Sequence, residues 1–114
     1  MTVNRDDLDA VTVLRLGGDI DDAGVDSLRT ALYTCAKQGR CKIVLNMTDV
    51  RFISYMGVGV LVERLQSLRK ASGDIKLVGL NLYTERLFRM VGVGSLFDVQ
   101  ENEAQAVGLF QKAA

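Results

Sequence analysis

Apolar residues recur along this chain with two alternating periods, one typical of buried strands and the other of half-buried helices. Short apolar runs bounded by glycine or polar residues predict four strands, at 11–16, 42–46, 75–78 and 96–99. The segment 2–7 is predicted to be an edge strand that pairs with the first run across a turn near 7–9. Because the run at 42–46 contains three consecutive apolar residues, 43–45, we expect a central strand buried on both faces.

Between these runs, apolar residues recur every three or four positions and predict four amphipathic helices. The predicted buried stripes are Val25, Leu28, Ala31, Leu32 and Cys35 in the first helix; Val58, Leu61, Val62, Leu65 and Leu68 in the second; Tyr83, Leu87, Met90 and Val91 in the third; and Ala104, Val107 and Phe110 in the fourth. We expect the second helix to span 55–70 and Asn81 to cap the third. Gly39, Gly73 and Gly92 mark the ends of the first three helices.

The predicted order of elements is β-β-α-β-α-β-α-β-α. Strands that alternate with helices form parallel sheets through right-handed crossovers. The pattern therefore predicts an α/β fold in which a mostly parallel sheet of four to five strands is accompanied by about four helices.

The length and composition fit one compact domain. The chain has 114 residues, of which 48% are hydrophobic, enough for one core and too few for a second domain. Its 14 basic and 14 acidic residues cancel, which disfavours nucleic acid or an anionic membrane as a partner. No apolar run is long enough to cross a membrane and no secretory signal pattern begins the chain, so a cytoplasmic location is expected.

Residue types that commonly carry catalysis or bind metals are scarce. The sequence has no histidine, which removes the commonest general base and metal ligand. Cys35 and Cys41 lack the spacing of a metal site or a redox pair; we interpret them as buried thiols, with a reactive or disulfide role as the alternative. The sequence therefore predicts a protein that is not an enzyme and that uses no cofactor or metal.

An acidic loop containing Asp19, Asp21 and Asp22 precedes the first helix. Asp21 or Asp22 can stabilise the start of that helix through its dipole. A site for a hard cation is an alternative, although no EF-hand spacing follows these carboxylates.

The junction between the central strand and the second helix concentrates the unusual residues of the chain. Ser54 is well placed as the N-cap of a helix start that presents backbone N–H groups and the positive end of the dipole. Gly57 and Gly59 each cost about 1 kcal/mol inside a helix relative to alanine. Either tight packing of the helix on the sheet or close approach of a partner would offset that cost.

A helical wheel places Met56 and Val60 nearly opposite the core stripe of the second helix. Single exposed apolar residues are ordinary, but these two lie one turn apart beside a turn that contains glycine. We therefore expect Met56 and Val60 to form part of a docking surface.

Residues at this junction and beyond carry a family resemblance. They are similar to the signature of the anti-sigma factor antagonists, which are STAS domain proteins, at Val44, Leu45, Asn46, Asp49, Val50, Phe52, Ile53, Ser54 and the run 57–61. The segments 73–79 and 87–93 resemble the later strand and helix of that family. The resemblance covers nearly the whole chain. It implies one STAS domain over 1–114, with the helices packed mainly on one side of the sheet.

The resemblance also implies a function. In that family the domain binds an anti-sigma factor, a serine kinase of the histidine-kinase-like ATPase type, and so frees the sigma factor. A phosphate on the serine at the helix start blocks binding, because a tight interface does not tolerate its charge, and a PP2C-type phosphatase restores binding. Together with the helical wheel, the resemblance implies a partner-binding surface made of Asp21, Asp22, Ser54, Tyr55, Met56, Gly57 and Val60.

The sequence departs from the family at the phosphate acceptor, where Tyr55 replaces the serine. A phenolic oxygen projects beyond the place of a seryl oxygen, so Tyr55 is a poor substrate for a serine kinase. Ser54 is an alternative acceptor, with N-capping as its simpler role. We interpret the chain as a regulatory binding module whose partner binding is not switched by phosphate in the usual way. The alternative is a STAS scaffold or assembly subunit of a signalling or transport complex, for which a homo-oligomer would be suitable.

Overall fold

The computed structural model describes residues 1–112, so the last two residues of the predicted domain lie outside the described part. The elements are β1 (Thr2–Leu8), β2 (Val11–Gly17), α1 (Asp22–Lys37), β3 (Lys42–Asp49), α2 (Tyr55–Lys70), β4 (Asp74–Val78), α3 (Leu82–Met90), a 3-10 turn (Gly94–Leu96), β5 (Asp98–Gln100) and α4 (Glu103–Lys112). Apart from the short 3-10 turn, this is the order that the hydrophobic pattern predicted.

The five strands form a single sheet in the order β1-β2-β3-β4-β5. The edge strand β1 pairs antiparallel with β2, and all other neighbours are parallel. β3 occupies the middle of the sheet, and its residues Ile43, Val44 and Leu45 are fully buried. The mostly parallel α/β sheet and the buried central strand are therefore confirmed.

The two faces of the sheet carry unequal layers of helix. On one face, α1, α2 and α3 cover the larger core, to which the sheet contributes Leu14, Ile43 and Leu45. On the other face, α4 packs Ala106 and Phe110 against the strand residues Val11, Val13, Val44 and Val78. The helices thus lie mainly on one side of the sheet, as the family resemblance implied.

The start of α4 is anchored to the sheet by a charged side chain. Arg15 donates from Nε and Nη2 to the two carboxylate oxygens of Glu103, at 2.8 Å each. Asn46 Nδ2 donates to Glu103 Oε2 at 2.6 Å. The hydrogen bond from Arg15, followed by that from Asn46, lowers the pKa of the Glu103 carboxyl below its usual value.

The third helix faces the core differently from the sequence prediction. Asn81 caps it as expected, with Oδ1 accepting from Thr84 N at 2.8 Å. Tyr83 and Met90, which were assigned to the core, are 46% and 71% exposed. The helix instead buries Phe88, whose ring packs against Phe97 with centroids 5.5 Å apart. At 100° per residue, Tyr83 and Met90 lie roughly 140° and 160° around the helix from Phe88.

Two apolar residues, the last strand and one cysteine also differ from the prediction. Val91 is exposed, as is Ala104, because α4 presents Ala106 and Phe110 to the sheet instead. The last strand lies at Asp98–Gln100 and not at 96–99, since a 3-10 turn occupies Gly94–Leu96. The free thiol of Cys35 is buried as expected, whereas the free thiol of Cys41 is only half-buried. Burial raises the pKa of the Cys35 thiol.

Candidate functional site

Three loops meet at the edge of the sheet where the parallel strands end. The loop before α1 and the loop before α2 are joined by two backbone hydrogen bonds, from Ile20 N to Phe52 O at 2.8 Å and from Ser54 N to Ile20 O at 2.9 Å. The loop before α3 is attached through Asn81, whose Nδ2 donates to Arg51 O at 3.1 Å. The carboxyl edge of a parallel sheet is where α/β proteins commonly place their sites. We call these joined segments, 18–22, 50–56 and 79–83, the loop platform.

The helix start on the loop platform has the local chemistry that the sequence predicted. Ser54 Oγ accepts a hydrogen bond from Gly57 N at 3.1 Å and so caps α2. No acidic side chain lies in the first turn of α2, so the positive end of its dipole is not compensated from within that turn. Tyr55 and Met56 project from this turn and are 66% and 59% exposed. The predicted exposure of Met56 is therefore confirmed.

Val60 was predicted to share the outer face with Met56, and that prediction is wrong. Its side chain is only 7% exposed and belongs to the main core. The single-helix wheel omitted the rest of the fold, in which α1 packs against α2 and Val60 joins the main core. What remains open there is a groove of about 550 Å³ between the two helices, lined in part by Tyr33, Met56, Gly59 and Val60.

The two glycines of the first turns of α2 differ in their surroundings. A Cβ added to Gly57 would lie 2.7 Å from Ile53 Cγ1 and 3.0 Å from Ile20 Cγ2. Gly57 is therefore explained by tight packing of the helix start on two loops of the platform. A Cβ added to Gly59 would meet nothing within 4 Å. Packing inside this chain does not explain Gly59.

The acidic loop lies beside the same helix start. Asp21 caps α1, with Oδ1 accepting from Gly24 N at 3.0 Å, and Asp22 lies in the first turn of that helix. The interpretation of this loop as a helix start is thus confirmed. A cavity of about 370 Å³ separates the loop from α2 and is lined by Asp21, Asp22, Ala23, Phe52 and Ser54. Within the described residues 1–112, no cluster of three potential metal-ligating side chains occurs.

On its other side, the loop platform carries apolar residues that the sequence did not indicate as a site. Phe52 stacks on Tyr83, with ring centroids 5.9 Å apart and planes at 27°. Beyond this pair, a second cavity of about 360 Å³ is lined by Tyr55, Leu82, Tyr83, Arg86, Leu87 and Met90. The feature of the sequence that could have indicated this cavity is the apolar pair directly after the Asn81 cap, Leu82 and Tyr83. Of these, only Tyr83 has the helical spacing of the predicted core stripe, which is why it was assigned to the core.

The structure thus brings most of the predicted site residues to one surface. Asp21, Asp22 and Ser54 line the acidic cavity, Tyr55 lines the cavity beside α3, and Met56 lines the groove between α1 and α2. Gly57 supports this surface from beneath, and Val60 lies outside it. Exposed aromatic and apolar groups flanked by carboxylates and a guanidinium are chemically suited to recognising another protein surface.

The fold is thus an α/β arrangement of five strands and four helices with an exposed surface at the carboxyl edge of its sheet. The STAS domain family model matches residues 2–106, and the chain belongs to that family. Within the described residues 1–112, no helix has the length and apolar character needed to cross a lipid bilayer.

Known proteins similar to this chain include antagonists of anti-sigma factors. The anti-sigma F factor antagonist of Paenibacillus polymyxa is 26% identical over 98 residues, which make up 85% of this chain and 84% of that protein. The anti-sigma-B factor antagonist of Staphylococcus epidermidis is 27% identical over 100 residues, or 88% of this chain and 90% of that protein. The unphosphorylated anti-sigma factor antagonist SpoIIAA has the same fold, with a TM-score of 0.84 at 22% identity and 97% coverage of each chain.

Proposed function

We propose that this STAS protein is a regulatory binding module that acts as an anti-sigma factor antagonist. Its partner is an anti-sigma factor of the serine-kinase type with a histidine-kinase-like ATPase fold. By occupying that partner, the protein releases a sigma factor or a comparable regulator. The similarity to antagonists of anti-sigma factors F and B supports this choice of partner class.

The observation that carries the proposal is the exposed start of α2. Tyr55 and Met56 extend outward from a capped helix end that is hydrogen-bonded to the neighbouring loops. Asp21 and Asp22 stand across the adjoining cavity and supply carboxylates to the same surface. Apolar side chains in the middle with charged groups at the rim are the usual composition of a protein–protein interface.

The replacement of the acceptor serine by Tyr55 implies constitutive binding. A serine kinase positions a short hydroxyl group, and the Tyr55 phenol places its oxygen too far along the side chain. The neighbouring Ser54 hydroxyl is already engaged in capping Gly57 N. We therefore propose that neither Ser54 nor Tyr55 acts as a phosphate switch. A PP2C-type phosphatase would then have no substrate at this helix start.

The test is a titration of the full chain against an anti-sigma factor of this class from the source organism, measured by isothermal calorimetry. Met56→Glu should weaken binding by about tenfold or more, because a charge would be buried in the interface. A glutamate in the first turn of α2 favours the helix dipole, so lost binding would not reflect unfolding.

The matched control is Leu109→Glu, which places the same charge at a 40% exposed position on α4, across the sheet from the loop platform. This variant should bind as the wild type does. Equal affinity of the wild type and Met56→Glu would show that the partner docks elsewhere.

A further inference from the structure

The loop platform carries opposite charges on its two sides. Asp21 and Asp22 line the cavity on one side, and Arg86 lines the cavity on the other. Between them lies the stacked pair of Phe52 and Tyr83, of which the first borders the acidic cavity and the second the basic one. The surface therefore runs from acidic, through aromatic, to basic.

The aromatic middle of this surface continues into a patch of exposed apolar side chains on α3. Leu82, Tyr83 and Met90 are all well exposed, and Tyr55 lies beside them at the same cavity. The core does not need them, because α3 is held by Thr84, Leu87 and Phe88. A nine-residue helix with apolar groups on both its inner and its outer face indicates a contact surface.

The charges at the two ends of the surface are not neutralised locally. Most arginines of the described chain, such as Arg15, Arg64 and Arg69, are paired with a carboxylate. Among residues 1–112, neither Asp22 nor Arg86 takes part in an ion pair. The chain as a whole has no net charge, so two copies would not repel each other at long range.

We propose that two copies of this chain associate face to face through the loop platform and the outer face of α3. A two-fold axis near the stacked pair would bring the acidic side of each copy onto the basic side of the other. An isologous interface requires such a self-complementary surface. Asp22 of each copy would then pair with Arg86 of the second copy, around a centre formed by Phe52 and Tyr83.

The expected dimer is weak and reversible. The apolar patch consists of a few side chains, so its affinity should fall in the micromolar range that is typical of small interfaces. The dimer would cover Tyr55 and Met56. If the proposed function is right, self-association would therefore compete with binding of the anti-sigma factor.

Sedimentation velocity of the full chain, from low micromolar to near-millimolar concentration, tests this directly. The wild type should shift from monomer to dimer as its concentration rises. Asp22→Arg and Arg86→Glu should each raise the dissociation constant by about tenfold or more, because each places like charges opposite one another. Lys70→Glu, a matched reversal at the far end of α2, should leave the dissociation constant unchanged.

The decisive arm is an equimolar mixture of Asp22→Arg with Arg86→Glu. In a heterodimer of these variants, both charge pairs are restored, so the mixture should dimerise about as well as the wild type. Thermal unfolding of each variant establishes that it is folded. Met90→Glu, which places a charge in the exposed apolar patch on α3, should also weaken the dimer without altering either charge pair.

A wild type that stays monomeric throughout, or a mixture that fails to recover, would overturn the dimer. Because no anti-sigma factor is present in this experiment, a monomeric result would leave the proposed function intact. Conversely, a dimer that binds no anti-sigma factor would remove only the proposed function.

Discussion

Gly57 and Gly59 lie two positions apart on α2, yet they are glycines for different reasons. Gly57 is buried where a Cβ would collide with Ile53 and Ile20, whereas Gly59 faces open space in the groove beside α1. Only the first is required by the fold. The second imposes a helix-propensity cost that this chain does not recover.

Alanine substitution should therefore have opposite effects at the two positions. Gly59→Ala should raise the free energy of unfolding by about 0.5–1 kcal/mol, since alanine favours the helix and meets no neighbour. Gly57→Ala should lower it by roughly 1–3 kcal/mol, because the added methyl group overpacks a buried site. Urea titrations followed by circular dichroism measure both changes. A destabilised Gly59→Ala would contradict the open surroundings described for that residue.

Tyr55 is the residue on which the proposed absence of a phosphate switch depends. Tyr55→Ser should restore a short hydroxyl group at the acceptor position, so an anti-sigma kinase with ATP should add one phosphate there. That phosphate should weaken binding to the kinase by about tenfold or more, because it places up to two negative charges in the interface. Intact mass spectrometry with peptide mapping measures the modification, and calorimetry measures the binding.

Tyr55→Ala is the control, since it removes the phenol without supplying an acceptor and should remain unmodified. Phosphate mapped to Tyr55 in the wild type would refute the steric argument. Phosphate mapped to Ser54 would instead place the switch at the N-cap.

Residues with a purely local role could be identified from the sequence. Ser54, Asp21 and Asn81 were placed at or near helix starts because capping depends on the chain within three residues. Val60 could not be placed correctly, since its burial depends on a neighbouring helix that a wheel does not contain. The exposure of Tyr83 was missed for the same reason.

At the scale of elements, α3 and α4 are attached to the fold in different ways. α3 depends on a cap and a narrow apolar contact, with Phe88 against Phe97 at its centre. α4 combines apolar packing with an ion pair that links Glu103 to Arg15 in the neighbouring layer. The second attachment depends on pH, because it uses a carboxylate.

The lowered pKa of Glu103 makes part of the stability of the protein sensitive to acid. A carboxyl whose pKa is lower in the folded than in the unfolded chain stabilises the fold fully above its unfolded value, about 4.3. That contribution is lost as the pH falls through the folded pKa. Glu103→Gln should therefore have a lower free energy of unfolding than the wild type at neutral pH. Between pH 6 and about 3, that free energy should fall less in the variant than in the wild type.

Urea unfolding over that pH range measures the difference between the two slopes. Arg15→Gln removes the largest cause of the lowered pKa, so it should flatten the pH dependence in a similar way. The double variant should show nearly the same pH dependence of stability as either single variant, because the two residues act through one interaction. Parallel pH profiles for the wild type and Glu103→Gln would show that the ion pair does not contribute.

At the scale of the whole molecule, most of the architecture follows from the hydrophobic pattern. The three apolar residues 43–45 predicted a strand covered on both faces, and the alternation of strands with helices predicted the parallel pairing. The orientation of α3 could not be predicted from the hydrophobic pattern, because its nine residues carry apolar side chains on two faces. Tertiary contact with Phe97 decided between them.

The hydrogen bonds that join the loop before α1 to the loop before α2 have a kinetic consequence. A binding surface on unattached loops would have to become ordered during each encounter, and slow folding steps would limit association. Here Ile20, Phe52 and Ser54 are already held together in the free protein. Association with the proposed partner should therefore be limited by diffusion and orientation, and not by the ordering of these loops.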